Sequence, residues 1–231
     1  MSDLDPRRRR DRVCTELVCL RVVFDPELTF VVHIRRLAGK CFYHLRQLRT
    51  VRRTLTTDAA KTLVHALITS HVDYCNSVFG NASAVHLYPL QSVLHAAARV
   101  FTWKRKYDHI SATIRDQLHW LPVKQRIDHK LCTFIYKCLH NVAPVHLCDM
   151  CIPVSSISLQ CRSSLRSAAH GDLWHQRIRT KTFCPRAFTV LGPSIWNIWN
   201  TLPATVRDPL LTYGQFCSKP KSVMFNRAYM T

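Results

Sequence analysis

The sequence predicts a mainly α-helical fold, and three observations lead to this prediction. Hydrophobic residues make up 47% of the 231-residue chain, which is typical of a globular protein. Apolar residues recur three and four positions apart over long stretches, as on one face of a helix. Capping and terminating residues separate these stretches. We therefore expect a bundle of about five helices, preceded by a short strand and followed by an irregular C-terminal extension.

The N-terminal segment is predicted to be a basic tail over residues 1–16. Its run Arg7–Arg10 fits either a nuclear localisation signal or a solvated disordered segment. Residues 17–24 are rich in Val, Leu and Phe and predict one short strand, which a turn at Asp25-Pro26 would close.

The first two helices follow this turn. Helix one is predicted from the apolar spacing of Phe30, Ile34, Leu37, Cys41, Leu45 and Leu48. Helix two would begin at Thr56 or Thr57 as N-cap, with the favourable charge of Asp58 in its first turn. Its apolar stripe runs from Ala60 to Phe79, and Gly80-Asn81 would end it.

Three further helices are predicted over about 84–102, 108–118 and 122–141. Together, residues 17–150 would form one helical domain. A Ser-rich linker is expected over 151–172, and an irregular basic extension over 173–231. The prolines of this last segment favour only short helices or strands.

The charge balance points to a polyanionic partner. The chain has 33 Lys and Arg against 14 Asp and Glu, a formal net charge of +19. Nucleic acid is the commonest polyanion, and an anionic membrane surface is the second choice. No apolar run reaches the length of a membrane span, and no secretion signal is recognised. The 11 cysteines are then expected to be reduced, in the nucleus or cytoplasm.

An active site of the chain's own is not predicted. Metal-dependent phosphoryl chemistry uses clustered carboxylates, but the chain has only two Glu, Glu16 and Glu27, and no adjacent Asp pair. The five glycines form no phosphate-cradling loop. We therefore expect no catalytic residues and no cofactor.

Zinc binding is a weaker alternative. Cys148 and Cys151 have the spacing of a zinc knuckle, and His140, His146 and Cys161 lie nearby. A second Cys pair is missing, and cysteine on an apolar helix face often acts as a small hydrophobe. We expect no metal site.

Several sequence blocks resemble one known family. They read LTTDAAKTLVHALITSHVDYCNS, LQSVLHAAARV and DHISATIRDQLHWLPVKQRIDHKLCTFIYKCLHNVAP. Their order and spacing are similar to those of jockey-like, LINE-type non-LTR retrotransposon reverse transcriptases, in the part that follows the catalytic palm. A duplicated Ile-Trp-Asn at 195–200 departs from that family's pattern.

The resemblance implies a helical thumb and a post-thumb extension of an RNA-directed DNA polymerase. The palm with its catalytic aspartates would precede this chain and would be the natural packing partner of the thumb. The expected ligand is RNA, DNA or their hybrid, bound through phosphates with low sequence specificity. Two alternatives are a helical protein–protein interaction module and a decayed product without function.

The predicted nucleic-acid contacts are basic residues clustered on the backs and at the ends of the helices. They are Arg35, Arg36, Arg46, Arg49, Arg52, Arg53, Lys104, Arg105 and Lys106.

Overall fold

The structure, a computed structural model, describes residues 16–153, 173–174, 188, 202, 204–206 and 211–229. It is mainly α-helical, as predicted. The helices, numbered in chain order, are α1 (Val31–Val51), α2 (Thr57–Val64), α3 (Ser70–Asp73), α4 (Ala84–Thr102), α5 (Ser111–Thr113), α6 (Val123–Leu139), α7 (Val145–Cys148) and α8 (Tyr213–Tyr229). Single π-helical turns, His65–Thr69 and Ile114–Leu118, follow α2 and α5, and 3-10 turns cover Arg52–Thr54, Asn76–Phe79 and Ala204–Val206.

The N-terminal prediction of one strand over 17–24 is wrong in detail. Two antiparallel strands, β1 (Leu17–Cys19) and β2 (Val22–Phe24), form a hairpin in which Val18 faces Val23. Leu20 and Arg21 make the turn with positive φ angles of 46° and 65°. Such two-residue turns usually contain Asn or Gly, so Leu-Arg carries no recognisable turn signal.

Asp25 holds the chain at the start of α1. Its carboxylate accepts hydrogen bonds from the backbone N–H groups of Thr29 (3.0 Å) and Phe30 (2.9 Å). Burial raises the pKa of Asp25, but the hydrogen bond from the Thr29 hydroxyl and these two backbone bonds outweigh that effect, and the pKa lies below its usual value. The capping arrangement places Phe30 in the core, against the rings of Phe24 and Phe79.

Thr56 caps α2 as predicted, since its hydroxyl accepts from the Ala59 N–H at 3.3 Å. The helical stretch ends at Asp73, however, and not at Gly80-Asn81. The backbone turns at Cys75, whose φ is 50°, and a 3-10 turn then carries Phe79 into the core. The apolar spacing continues across this break, which is why the sequence predicts a longer helix.

The core forms around α4. This helix packs on α1, α2 and α6, and its residues Leu90, Val93, Ala97 and Ala98 are completely buried. The predicted apolar faces of α1 and α6 lie in the same core. Pro89 is accommodated in the first half of α4.

The expectation of only short segments after 173 is wrong for α8, which has 17 residues and contains Pro220. Phe216, Pro220 and Met224 are spaced four apart, are buried, and lie on the side of α8 that packs on α6. Tyr136 of α6 stacks on Phe216 with ring centroids 4.2 Å apart. Tertiary packing therefore overrides the cost of a proline inside the helix.

The structure describes little of the segments predicted as the N-terminal tail, the linker and the first part of the extension. The tail over 1–15, residues 154–172 of the predicted linker and most of 173–210 lie outside the described residues. Within the described part of the chain, no helix combines the length and the apolar character that spanning a bilayer requires.

Candidate nucleic-acid interface

The basic residues of α1 form an exposed stripe. Arg35, Arg46 and Arg49 lie at helical spacing on one side of α1 and are exposed. Between them lie Gly39, where an added Cβ would meet open space, and Phe42, whose side chain is 38% exposed. We call Arg35, Arg46 and Arg49 the basic stripe.

No acidic residue interrupts this stripe. The α1 sequence VVHIRRLAGKCFYHLRQLRTV contains five Lys or Arg and no Asp or Glu. Arg36 and Lys40, four apart, and Arg46 and Arg49, three apart, are like-charge pairs that weaken a helix by about 0.2–0.5 kcal/mol each. A bound polyanion would remove this repulsion, whereas a merely solvated helix face usually mixes both charges.

Arg52 has a different role from the one predicted. It is 4% exposed, and its guanidinium donates to the carbonyl oxygens of Val100 (3.1 Å), Phe101 (3.1 Å) and Leu55 (3.0 Å). Carbonyl groups in the last turn of a helix lack intrahelical partners, so Arg52 satisfies the end of α4. The prediction that Arg52 contacts phosphate is therefore wrong, because its donors are used inside the protein.

The Arg52 contacts join two predicted clusters that lie far apart in the sequence. The guanidinium also lies over the ring of Trp103, 4.5 Å from its centroid. This brings the C-terminal end of α1, with exposed Arg53, next to the segment Trp103–Tyr107. We call Trp103–Tyr107, with the sequence WKRKY, the basic turn.

In the basic turn, two aromatic residues flank three consecutive cationic residues. The exposed fractions of Trp103 and Tyr107 are 58% and 87%, and Arg105 and Lys106 are exposed beside them. Exposed aromatic rings next to cations are the usual means of stacking unpaired bases near phosphates. The sequence-based set omitted both rings, although the run W, K, R, K, Y, with one ring at each end of three cations, was a visible signal.

Two other predicted contacts are partly occupied by protein groups. Arg36 donates to Glu16 at 2.7 Å in an exposed ion pair. Lys104 is half-buried, and its Nζ donates to the Thr113 hydroxyl at 2.6 Å and to the His109 carbonyl at 3.3 Å. Of the nine predicted residues, the exposed ones outside any of these protein contacts are Arg35, Arg46, Arg49, Arg53, Arg105 and Lys106.

A cationic cleft of about 490 Å³ lies next to the stripe, between the hairpin, α1 and α3. Arg21, Arg36 and Lys40 contribute its positive charge, and the half-exposed ring of Tyr74 lines it as well. Burial, followed by the charges of Lys40, His44 and Arg21, lowers the pKa of His71 in this cleft. The cleft extends the positive surface of α1 towards the hairpin.

A second cationic cleft, of about 560 Å³, lies between the π-helical turn after α2, α6 and α8. Its cations are Lys61, Arg126, Lys130 and Lys221. Sequence reasoning missed it, because these residues come from three separate segments and no local pattern links them. We call it the α2–α6–α8 cleft.

Of the cysteines of the zinc alternative, Cys148 is the last residue of α7 and Cys151 lies three residues after it. Burial, followed by the effect of Cys138, raises the pKa of Cys151 to about 12, so Cys151 is a neutral thiol. Among the described residues, no group of three His, Cys, Asp or Glu side chains could hold a metal ion. Cys161 lies outside the described residues.

Comparison of the chain with protein-family models, curated proteins and solved structures found no match.

Proposed function

We propose that this chain is a non-catalytic nucleic-acid-binding domain that contacts the phosphate backbone through the basic stripe, Arg53 and the basic turn. The observation that carries the proposal is the Arg52 contact, which holds two exposed cationic surfaces side by side with no carboxylate on α1. Lys and Arg contacts to phosphate displace condensed counterions, and this supplies affinity that does not depend on base sequence.

The dimensions of the surface suit a nucleic-acid strand. With a rise of 1.5 Å per residue, Arg35 and Arg49 lie about 21 Å apart along α1. That length corresponds to about six phosphates of one strand, at 3.4 Å per phosphate along the helix axis. Trp103 and Tyr107 lie beyond the C-terminal end of α1, where they could stack on unpaired bases.

The proposal includes an evolutionary origin, in the thumb and post-thumb part of a non-LTR retrotransposon reverse transcriptase. The resemblance of the sequence blocks supports it, and so does the placement of these blocks along consecutive helices, from α2 to the segment after α6. A thumb contacts the template–primer duplex, so an RNA–DNA hybrid is the preferred test ligand. The palm domain would be the physiological packing partner.

The proposal is tested by the salt dependence of binding to a labelled RNA–DNA hybrid. Each lost phosphate contact lowers the slope of log K against log salt by about 0.9. The variants Arg46→Gln/Arg49→Gln and Arg105→Gln/Lys106→Gln are therefore each expected to lower the slope by about 2 and to weaken binding. Fluorescence anisotropy at salt concentrations from about 50 to about 200 mM measures the slope and the affinity, because phosphate contacts weaken steeply over this range.

The matched control removes the same charge elsewhere. Lys137 lies on α6 over the Tyr213 ring, and Lys219 on α8 donates to the Thr205 carbonyl. The variant Lys137→Gln/Lys219→Gln should keep the wild-type slope. If all three double variants have equal slopes, or if the wild-type chain does not bind at the lowest salt, the proposal is wrong and an interaction module becomes the better explanation.

A further inference from the structure

The α2–α6–α8 cleft contains two buried polar groups without a partner. The residues Thr69 and Asn76 both line it, with exposures of 7% and 2%, and neither the buried Thr69 hydroxyl nor the buried Asn76 Oδ1 makes a hydrogen bond among the described residues. Buried polar atoms are nearly always satisfied in folded proteins, so such a pair indicates a missing partner.

Thr69 differs from comparable helical residues of this chain. The hydroxyls of Thr62, Thr102 and Thr133 each donate to the carbonyl four residues earlier, at 2.8–3.0 Å. Thr69 lies in a π-helical turn, where the His65 carbonyl instead accepts from the Ser70 N–H. Single π-helical turns occur frequently at functional sites, because they redirect side chains.

The orientation of Asn76 restricts the type of ligand. Its amide Nδ2 donates to Asp73 at 3.4 Å, which leaves Oδ1 as the unpartnered atom. This oxygen only accepts hydrogen bonds, so it needs an N–H or O–H donor. A phosphodiester supplies only acceptors, and therefore a backbone phosphate alone would leave Asn76 unsatisfied.

The walls of the cleft supply cations that suit an anionic group, and apolar and aromatic surface that suits a base. Arg126 is held by Asp73 at 2.8 Å and by the Leu121 carbonyl at 2.9 Å, and Lys61, Lys130 and Lys221 are exposed around it. Leu118, His119 and Trp120 line the same cleft and provide apolar and aromatic surface. A volume of about 560 Å³ is in the range of small-molecule sites.

We propose that the α2–α6–α8 cleft binds one unpaired nucleotide, with its phosphate near the cations and a base or sugar donor at Asn76. A nucleotide combines the anionic group that suits Arg126 and the lysines with the donors that Asn76 and Thr69 lack. The inference rests on the proposed function, because it adds a site for an unpaired nucleotide to a domain that binds nucleic acid elsewhere.

The experiment measures the affinity of the full chain for each of the four nucleoside 5′-monophosphates and for inorganic phosphate at equal ionic strength. At least one nucleotide should bind more tightly than phosphate, by roughly tenfold, since it adds a hydrogen bond to a buried group. Thr69→Val should remove most of that difference, and Thr69→Ser should restore it. Thr62→Val is the matched control on α2 and should have no effect.

A second pair of variants covers the case in which Thr69→Val does not fold. Lys130→Gln should weaken nucleotide binding, whereas Lys137→Gln, on the same helix but outside the cleft, should not. If no nucleotide binds more tightly than phosphate, or if folded Thr69→Val keeps the wild-type affinity, the inference is wrong.

The source of the nucleotide is decided by competition. If the monophosphate displaces a labelled short single strand, the cleft holds a nucleotide of a polynucleotide; if it binds without displacing the strand, the cleft holds a free nucleotide. Salt-dependent binding of a fully paired hybrid is measured in parallel and depends on the basic stripe. If the wild-type chain binds the hybrid but no nucleotide, this inference is wrong and the proposed function stands. If it binds a nucleotide but not the hybrid, the proposed function is wrong.

Discussion

Arg52 and Arg53 are neighbours in the sequence, yet they belong to two different regions of the molecule. Arg52 is buried at the junction of α1 and α4, where three carbonyl oxygens surround its guanidinium. Arg53 is exposed, like the arginines of the basic stripe. One cluster of cations in a sequence can therefore contain a buried structural residue and an exposed residue that is free to meet a ligand, and burial distinguishes the two.

The largest effect on stability is expected at the buried site. Arg52→Met leaves the carbonyl oxygens of Leu55, Val100 and Phe101 without their donor, so the free energy of unfolding should fall by about 3 kcal/mol. Arg52→Lys should recover only part of this loss, because an ammonium lacks the planar fork of the guanidinium. Urea denaturation followed by circular dichroism measures the difference.

Arg53→Met is the control for this prediction and should change the free energy of unfolding by no more than about 0.5 kcal/mol. Equal destabilisation by both substitutions would show that the distinction between the two arginines is wrong.

A second ionisable group, Asp128, is also buried, but it has a single charged partner, Lys124, whereas Arg52 has three hydrogen-bond acceptors. Asp128 of α6 is 6% exposed, and both of its carboxylate oxygens lie 3.1 Å from Lys124 Nζ. Burial raises the pKa of Asp128 above its usual value of 3.8, although the charge of Lys124 and its hydrogen bonds lower it. Its contribution to stability should therefore fall as the pH rises from 3.8 through the raised pKa.

The substitution Asp128→Asn should remove this pH dependence while leaving the helical fold intact. Unfolding curves of the variant and the wild type are compared between about pH 4 and about pH 8, because a raised carboxyl pKa falls in this range. Asp58→Asn, at an exposed position in the first turn of α2, is the control and should not flatten the profile. A profile of Asp128→Asn parallel to that of the wild type would contradict the prediction.

The smallest effect is expected in the basic stripe. Arg46→Gln/Arg49→Gln removes a like-charge pair, so it should raise the free energy of unfolding by about 0.2–0.5 kcal/mol. The gain should be larger in low salt, where charges are less screened. Denaturation at two salt concentrations measures it, and a clear loss of stability would mean that the stripe is structural like Arg52.

Local patterns predicted much of the fold. The apolar spacing of α1 and α6, the cap at Thr56 and the limits of the helix at 84–102 needed only short-range information. The hairpin and α8 were not predicted in this form. The Leu20-Arg21 turn lacks the usual residues, and the proline in α8 is tolerated because the helix packs on α6.

The candidate interface was predicted only in part. Of the sequence-based set, Arg46, Arg49 and Arg53 are exposed, as a phosphate contact requires, whereas Arg52 is buried. The α2–α6–α8 cleft was missed, since Lys61, Arg126 and Lys221 meet only after the helices pack. Trp103 and Tyr107, which flank the three cations of the basic turn, were also missing from the predicted set.

The helical character of the chain and its strong positive charge follow from the amino-acid sequence, because helix periodicity and composition are local properties. Helix packing determines which cation is buried, which cations face solvent, and where Thr69 and Asn76 remain without partners. These depend on contacts between residues far apart in the chain, such as Arg52 with Phe101 and Arg126 with Asp73. Burial and pairing arise when the helices pack, and no short window of sequence contains that information.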